Sequence, residues 1–266
     1  MKEYSLHFDL TVPFARYVLD RQEELAFPFR RYQIQPVWRG ERSQKGRFKE
    51  FWQADIDIIR KENKDTDKDI ITVPAVLETI QPIAKTLDEL FSEFKLKNTL
   101  TIHINNKKIL AGLFSAVFGS DEEKIRKMYS AFDKYYKMTP SEFDSLLQEI
   151  CSNEEYKKMT QVLKNSKDIK KFSTAVSSLH PDASVLGELA NLESVLHLSS
   201  QLSYKQITVQ FDPFIVRGLD YYTGYVFETF INDKMEIGSI CSGGEYKNFT
   251  RFIDPKNIFS GIGISI

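Results

Sequence analysis

The chain has 266 residues, of which 42% are hydrophobic and 27% are charged. This composition excludes extensive disorder and provides for a sizeable core. The 36 basic and 37 acidic residues nearly cancel, so contact with a polyanion requires a local cluster of charge. Two cysteines are too few for a disulfide framework and suit a reducing compartment. The sequence shows neither a membrane-spanning apolar run nor a signal-peptide pattern, and we expect a soluble, cytoplasmic protein.

The first quarter of the chain predicts one helix and a pair of strands. Residues 13–20 begin with a proline, which is tolerated in the first turn of a helix. Apolar and polar residues alternate over residues 32–39 and again over residues 51–59, which is the period of a strand. The intervening residues 40–50 are polar. We therefore expect two antiparallel strands joined by a long polar loop.

The middle of the chain has a helical pattern. Apolar residues at helical spacing over residues 73–94 predict a helix with one buried face. Residues 99–104 alternate and predict a strand. Residues 106–204 contain no clear period-two run, and residues 139–142 (Thr-Pro-Ser-Glu) form a helix-start sequence within them. This stretch predicts a helical insertion.

Strand patterns return near the end of the chain, at residues 206–211, 225–231 and 261–266, and residues 238–244 lead into a turn. Strands followed by helices and again by strands predict an α+β fold with an antiparallel sheet interrupted by an insertion. The expected parts are a first core segment at 1–105, a helical insertion subdomain at 106–205 and a second core segment at 206–266.

A basic loop is the first of three groups of residues with possible chemistry. Between Phe27 and Lys61 there are nine basic and four acidic residues, a local excess of five positive charges. The planar fork of arginine donors matches pairs of phosphate oxygens, so such a loop can clasp a polyphosphate. A solvated charged hairpin is an equally good interpretation.

The other two groups are a polar strand face and an arginine between glycines. Gln53, Asp55 and Asp57 alternate along one strand, which suits a polar pocket above a sheet, although a half-exposed strand is the favoured interpretation of that segment alone. Arg217 lies in residues 215–224, with two glycines and two adjacent tyrosines. This pattern indicates backbone close to a ligand and aromatic walls around it; a lone arginine there is otherwise a surface residue.

Several other chemistries are not indicated. The four histidines and two cysteines show no metal-ligand spacing, so we expect no metal held by the protein itself. The sequence contains neither GxxxxGK[ST] nor GxGxxG, and no nucleophile is paired with a base. The residues alone therefore support an arginine-based phosphate site on an antiparallel sheet.

These three groups, in this order, resemble the histidyl-tRNA synthetases, a family of class II aminoacyl-tRNA synthetases. The matching segments are residues 8–17 (FDLTVPFARY), residues 38–53, which resemble class II motif 2, and residues 217–222 (RGLDYY), which resemble the histidine signature. Residues 238–244 and 261–265 resemble the strands that lead into motif 3. The resemblance covers the chain except for the predicted insertion, which matches in position and character only.

The resemblance implies a class II antiparallel sheet flanked by helices and a two-step ligase reaction. ATP, accompanied by Mg²⁺, would activate L-histidine to histidyl-adenylate, and the histidyl group would then pass to tRNA(His). The family uses no protein nucleophile, so catalysis must come from positioning and charge neutralisation. The resemblance also implies a homodimer in the full-length protein, without membrane association.

Residue roles follow from the same resemblance. Arg39 is expected at the ATP α-phosphate and the histidine carboxylate, and Arg217 at the α-phosphate from the opposite side; both are the expected catalytic residues. Glu41 should contact ATP, Arg47 the outer phosphates, and Phe51 the adenine ring. Asp9, Thr11 and Gln53 are expected at the α-amino group of histidine, and Asp57, Tyr221 and Tyr222 at its imidazole. Leu10, Arg39 and Arg217 are also expected to contact histidine.

The chain also departs from the family pattern. Residues 243–247 read Gly-Gly-Glu-Tyr-Lys where the family usually has Gly-Gly-Arg-Tyr-Asp. We expect motif 1, the motif 3 arginine and the anticodon-binding domain to be absent, and hence an incomplete catalytic domain that is inactive alone. The main alternative is a non-catalytic histidine-binding paralogue, such as the regulatory subunit of ATP phosphoribosyltransferase, although such a paralogue is expected to lose the phosphate-facing arginines. A nucleic-acid-binding module leaves residues 217–222 unexplained.

Overall fold

The computed structural model describes residues 5–40, 42, 48–61, 72–216 and 222–266. The helices are α1 (Thr11–Arg21), α2 (Val73–Glu93), α3 (Lys107–Phe118), α4 (Glu122–Asp133), α5 (Pro140–Ile150), α6 (Asn153–Leu163), α7 (Ile169–Ser177) and α8 (Ala183–Ser200). The strands are β1 (Phe29–Trp38), β2 (Glu50–Lys61), β3 (Leu100–Asn106), β4 (Ile207–Phe211), β5 (Tyr225–Ile231), β6 (Cys241–Tyr246) and β7 (Phe259–Ser265). Short 3₁₀ turns lie at Tyr135–Lys137 and Met235–Ile237.

The predicted α+β class is confirmed. Within the described ranges the strands form a seven-stranded sheet in the order β1-β2-β7-β6-β5-β3-β4, and β1–β2, β2–β7 and β6–β7 pair antiparallel. The helical insertion is confirmed as α3 to α8. Residues 241–246 form β6 and pair with β7 from Ser242↔Ser265 to Tyr246↔Gly261, and the turn that residues 238–244 lead into begins after Tyr246.

The described residues form two compact units. The first comprises Met1–Leu100, Lys205–Ile207 and Thr229–Ile266. In it, α2 packs against β2 and β7 and buries one face at helical spacing, as its sequence predicts. The expected boundaries at residues 105 and 205 stay a prediction.

The second unit comprises Thr101–Tyr204 and Thr208–Glu228 and contains α3 to α8. Its core is aromatic: the Phe132 ring lies 5.1 Å from Phe114 and 5.0 Å from Phe214, and Tyr135 stacks on Phe214 with ring centroids 3.5 Å apart. The predicted helix start at Thr139 is confirmed as a capping box that opens α5. None of the helices in the described ranges combines the length and apolarity needed to cross a bilayer.

Candidate functional site

The β1–β2 pair brings polar side chains of both strands onto one face, which is buried along β2 and becomes exposed at Gln35 on β1. Its register pairs Arg31 with Asp57, Gln33 with Asp55 and Gln35 with Gln53. On β2, the exposed fractions of Gln53, Asp55 and Asp57 are 5%, 3% and 3%, whereas the intervening Trp52 is 70% exposed. The strand is thus half-exposed, and it is the polar face of β2 that is buried, as the polar-pocket interpretation of these residues expects. Burial of two carboxyl groups requires specific partners.

Arg39 lies just after β1 and is held between two aromatic rings. Its guanidinium carbon is 4.7 Å from the centroid of the Phe8 ring and 4.9 Å from that of Phe51, distances at which cation–π attraction operates. Its Nη2 donates to Gln53 Oε1 (3.1 Å) and its Nε to the carbonyl of Phe8 (3.4 Å). The backbone N–H of Arg39 donates to the carbonyl of Lys49 (2.8 Å). These contacts fix the direction of the guanidinium while its other N–H groups stay available to an anion.

The hydrogen bonds continue from Arg39 into the buried face. Gln53 Nε2 donates to Asp55 Oδ1 (2.8 Å), and Ser265 Oγ on β7 donates to the same oxygen (2.6 Å). Burial raises the pKa of Asp55, and the hydrogen bonds from Ser265 and Gln53 together with the charge of Arg31 oppose that rise. Gln53 therefore connects the half-buried guanidinium of Arg39 to the buried carboxyl of Asp55.

Asp57 has two partners of different kinds. Its Oδ2 is 2.8 Å from Arg31 Nη2, and its Oδ1 accepts a hydrogen bond from the Tyr246 hydroxyl on β6. Burial raises the pKa of Asp57 to about 6, while Arg31 and the Tyr246 hydrogen bond act in the opposite direction and the charge of Asp55 adds to the rise. On the other side, β7 places Gly263 opposite Asp57. A Cβ at Gly263 would overlap Asp57 Oδ1, so the glycine provides the space that this carboxylate occupies.

Residues 8–11 line the same part of the first unit. Asp9 Oδ1 accepts the backbone N–H of Val12 (3.1 Å) at the start of α1, where Thr11 is the first helical residue. Leu10 is buried, and its carbonyl is 3.4 Å from Arg31 Nη2. The carbonyls of Phe8 and Leu10 thus contact Arg39 and Arg31, respectively.

The remaining predicted site residues divide into two groups. Tyr222 lies in the second unit, where its carbonyl accepts from Lys107 Nζ (2.6 Å). Glu41, Arg47, Arg217 and Tyr221 lie outside the described residues. The structure thus brings Arg39, Phe51 and Gln53 into contact and links Gln53 to the Asp55 carboxyl.

Sequence reasoning missed Arg31, Tyr246 and Ser265 as members of this cluster. Arg31 alternates with Gln33 and Gln35 along β1, which is the one local signal for its position on the polar face. Tyr246 and Ser265 come from β6 and β7, and only the sheet pairing reveals their proximity. In the described ranges, the His, Cys, Asp and Glu residues form no group of three or more that could hold a metal ion.

Comparison with solved structures identifies the fold as that of the histidyl-tRNA synthetases. The crystal structure of histidyl-tRNA synthetase from Nostoc sp. PCC 7120 matches with a TM-score of 0.79 and 28% identity, covering 100% of this chain and 59% of that one. An ATP phosphoribosyltransferase regulatory subunit/histidyl-tRNA synthetase from Bacillus halodurans matches with a TM-score of 0.73 and 20% identity over 98% of this chain and 62% of that one, which shows the fold alone.

The sequence comparisons give the family. The family model for histidyl-tRNA synthetase matches residues 2–266, and the chain belongs to this family. A histidine–tRNA ligase of Clostridium tetani is 39% identical over 267 residues, which are 99% of this chain and 57% of that protein. The chain therefore spans a little over half the length of the curated relatives it matches.

Proposed function

We propose that this chain carries the amino-acid activation site of a histidine–tRNA ligase, which joins L-histidine to tRNA(His) with ATP. The observation that carries the proposal is the anchored guanidinium of Arg39, connected through Gln53 to a buried acidic face. Such an arrangement offers a cation to phosphate or carboxylate and, beside it, polar groups that can recognise a small ligand.

On the ATP side, Arg39 is the group for the α-phosphate and the histidine carboxylate. The aromatic contacts of Arg39 with Phe8 and Phe51 hold its fork in place before the substrates bind, so little ordering is left for the reaction itself. By motif position, Glu41, Arg47 and Arg217 are further candidates for binding ATP, with Arg217 proposed as a second ligand of the α-phosphate. Adenine would stack on Phe51. Mg²⁺ would enter as the ATP complex and neutralise phosphate charge.

On the histidine side, Asp57 binds the imidazole ring. Imidazole carries one N–H donor and one acceptor, and a buried carboxylate pairs with the donor. An amino acid with an apolar side chain would leave that carboxylate without the partner, a mismatch that hydrogen-bonding sites reject by large factors. By motif position, Tyr221 and Tyr222 are further candidates for binding the imidazole, Asp9, Thr11 and Gln53 are candidates for the α-amino group, and Leu10 is a further candidate for binding histidine.

The reaction then needs no nucleophile from the protein. The histidine carboxylate attacks the α-phosphorus of ATP, a new P–O bond forms, and the bond to the pyrophosphate oxygen breaks with its electron pair leaving on pyrophosphate. The role of Arg39 and Arg217 is to offset the charge that develops on the α-phosphate oxygens. Donors in such positions typically contribute about 3–4 kcal/mol to transition-state stabilisation. The histidyl group then passes to the 3′ end of tRNA(His).

A non-catalytic histidine-binding paralogue is the alternative function, and the Bacillus halodurans protein of similar fold is the reason to test it. The two functions differ in the fate of ATP. For the full-length protein we propose a homodimer that acts in the cytoplasm.

Histidine-dependent exchange of pyrophosphate into ATP tests the proposed function. The purified full-length protein is incubated with labelled pyrophosphate, ATP and Mg²⁺, with and without histidine, and tyrosine serves as the control amino acid. A ligase exchanges label only with histidine. Histidine binding by calorimetry without exchange would identify the non-catalytic paralogue. If the protein shows neither exchange nor histidine binding, both functions are refuted.

A further inference from the structure

We infer that Arg31 is a positioning residue, which keeps the Asp57 carboxylate charged and oriented to accept the ring N–H of histidine. This inference rests on the proposed function, because it assigns a role within the same histidine subsite. Arg31 lies outside the segments that carry the sequence resemblance, and its role follows from its contacts alone.

Arg31 and Asp57 form a cross-strand pair that is almost completely buried. The two residues are opposite each other in the β1–β2 register, and the exposed fractions of their side chains are 8% and 4%. Arg31 Nη2 lies 2.8 Å from Asp57 Oδ2 and 3.9 Å from Asp55 Oδ2. The closer distance makes Asp57 the main partner of this guanidinium.

The guanidinium of Arg31 is enclosed on its other sides. The Phe14 ring lies beneath it, 3.8 Å from the guanidinium carbon to the ring centroid. Gln33 Oε1 accepts from Nη1, and the Leu10 carbonyl is 3.4 Å from Nη2. Buried Nε has no hydrogen-bond acceptor. Arg31 therefore has a fixed direction, and one of its donors is left unused in the folded protein.

The buried Arg31–Asp57 pair is not expected to increase the stability of the fold. Buried ion pairs often contribute nothing net compared with apolar residues of similar size, because both charges lose their hydration. An unsatisfied buried Nε adds a further cost. A specific task for the charge of Asp57 explains why such a pair stands in the centre of the site.

Arg31 keeps the Asp57 carboxylate ionised, so that its oxygens accept hydrogen bonds. The charged and titratable groups that face it are Arg31 on β1, Asp55 on β2 and Tyr246 on β6; β7 contributes Gly263 at the paired position. A carboxylate has roughly four lone-pair sites, and the contacts with Arg31 and Tyr246 leave room for a further donor. Without Arg31, burial and the charge of Asp55 would both favour the protonated acid, which offers a competing O–H.

The experiment replaces Arg31 by methionine, which keeps an unbranched side chain of about the length of the arginine stem and removes the guanidinium charge. Buried carboxyls without a cationic partner reach pKa values of about 8–9, so between about one tenth and one hundredth of Asp57 would be ionised at pH 7. The ratio of histidine KM in Arg31→Met to that in the unsubstituted protein should therefore be about 10-fold to 100-fold at pH 7 and fall to about twofold or less at pH 9. At both pH values, kcat and the KM for ATP should stay within about twofold.

Arg30→Met is the matched control. Arg30 is the neighbouring residue, its side chain is 53% exposed, and it pairs with Glu78 at the surface. The histidine KM of the Arg30→Met variant should equal that of the unsubstituted protein at every pH. Comparison at equal pH also removes the titration of histidine itself, because the substrate is the same in all arms.

Three results would overturn the role of Arg31. These are an unchanged histidine KM in Arg31→Met, a raised histidine KM that higher pH does not restore, and equal losses for histidine and ATP.

If circular dichroism shows that Arg31→Met does not fold, Arg31→Lys is tested instead. The charge of the lysine should keep the pH dependence of the histidine KM unaltered, while loss of the guanidinium fork should raise that KM about threefold to tenfold. An unchanged KM in that variant would also refute the inference. A lack of histidine-dependent exchange in the unsubstituted protein would instead refute the proposed function, and this inference with it.

Discussion

A methyl group added at Gly263 would test whether the space around Asp57 is functional. Gly263 lies on β7 opposite Asp57 on β2. A Cβ there would overlap Oδ1 of Asp57 and come within 2.9 Å of its Cγ and 3.0 Å of the Ile56 carbonyl oxygen. Because the Ile56 oxygen belongs to the backbone of the paired strand, the Asp57 side chain is the group that must move.

The expected magnitude has two parts. Overpacking in a core costs typically about 1–3 kcal/mol, and the gain from replacing a strand glycine offsets less than about 1 kcal/mol of it. Gly263→Ala should thus lower the free energy of unfolding by roughly 1–2 kcal/mol. For activity, misplacement of a positioning group by about 1 Å can cost around 100-fold, so we expect the histidine KM to rise by about one to two orders of magnitude with the KM for ATP little changed.

Urea unfolding and pyrophosphate-exchange kinetics measure the two effects. Gly187→Ala is the control, since Gly187 lies within α8 and a Cβ there meets nothing within 4 Å. That substitution should raise stability by about 0.5–1 kcal/mol through helix propensity and leave the histidine KM unchanged. A Gly263→Ala protein with normal stability and a normal histidine KM would refute the packing argument around Asp57.

Three further predictions concern the same site. Asp57→Ala should raise the histidine KM about 100-fold or more with less than a threefold change for ATP, and equal losses would mean that the imidazole assignment is misplaced. Arg217→Ala should lower the exchange rate by about 100- to 1,000-fold with little loss of histidine binding; unchanged exchange would remove Arg217 from its role. The raised pKa of Asp57 also leads us to expect that the free energy of unfolding depends on pH. The folded pKa of Asp57, about 6, exceeds the unfolded value of ~3.9, so its contribution is complete below about pH 4 and is lost as pH rises through 6. The difference in unfolding free energy between Asp57→Asn and the unsubstituted protein should therefore shift toward the variant by roughly 2–3 kcal/mol from pH 4 to pH 7, and a constant difference in urea titrations would contradict the shifted pKa.

The elements of the fold were predictable because their signals are local. Alternation in the β1 and β2 sequences and helical spacing in α2 each arise from burial of one face. The strand order has no such signal. For example, β2 pairs with β7 through Asp57↔Gly263, a contact between residues far apart in the chain that no local period reveals.

The site was predictable in part for the same reason. Gln53, Asp55 and Asp57 fall on one face by alternation alone, but a period of two is the same whether the polar face is buried or in solvent. Arg31 and Tyr246 reach Asp57 from other strands. Their contribution depends on register, which the sequence of a single strand does not contain.

A crystal structure of the full-length protein with a non-hydrolysable histidyl-adenylate analogue would show whether Arg39 and Asp57 bind the substrates. We expect the α-phosphate group within hydrogen-bonding distance of Arg39 and the imidazole N–H on the Asp57 carboxylate, with Arg31 still paired to its other oxygen. An analogue bound elsewhere, with Arg39 and Asp57 in contact only with protein groups, would contradict this expectation.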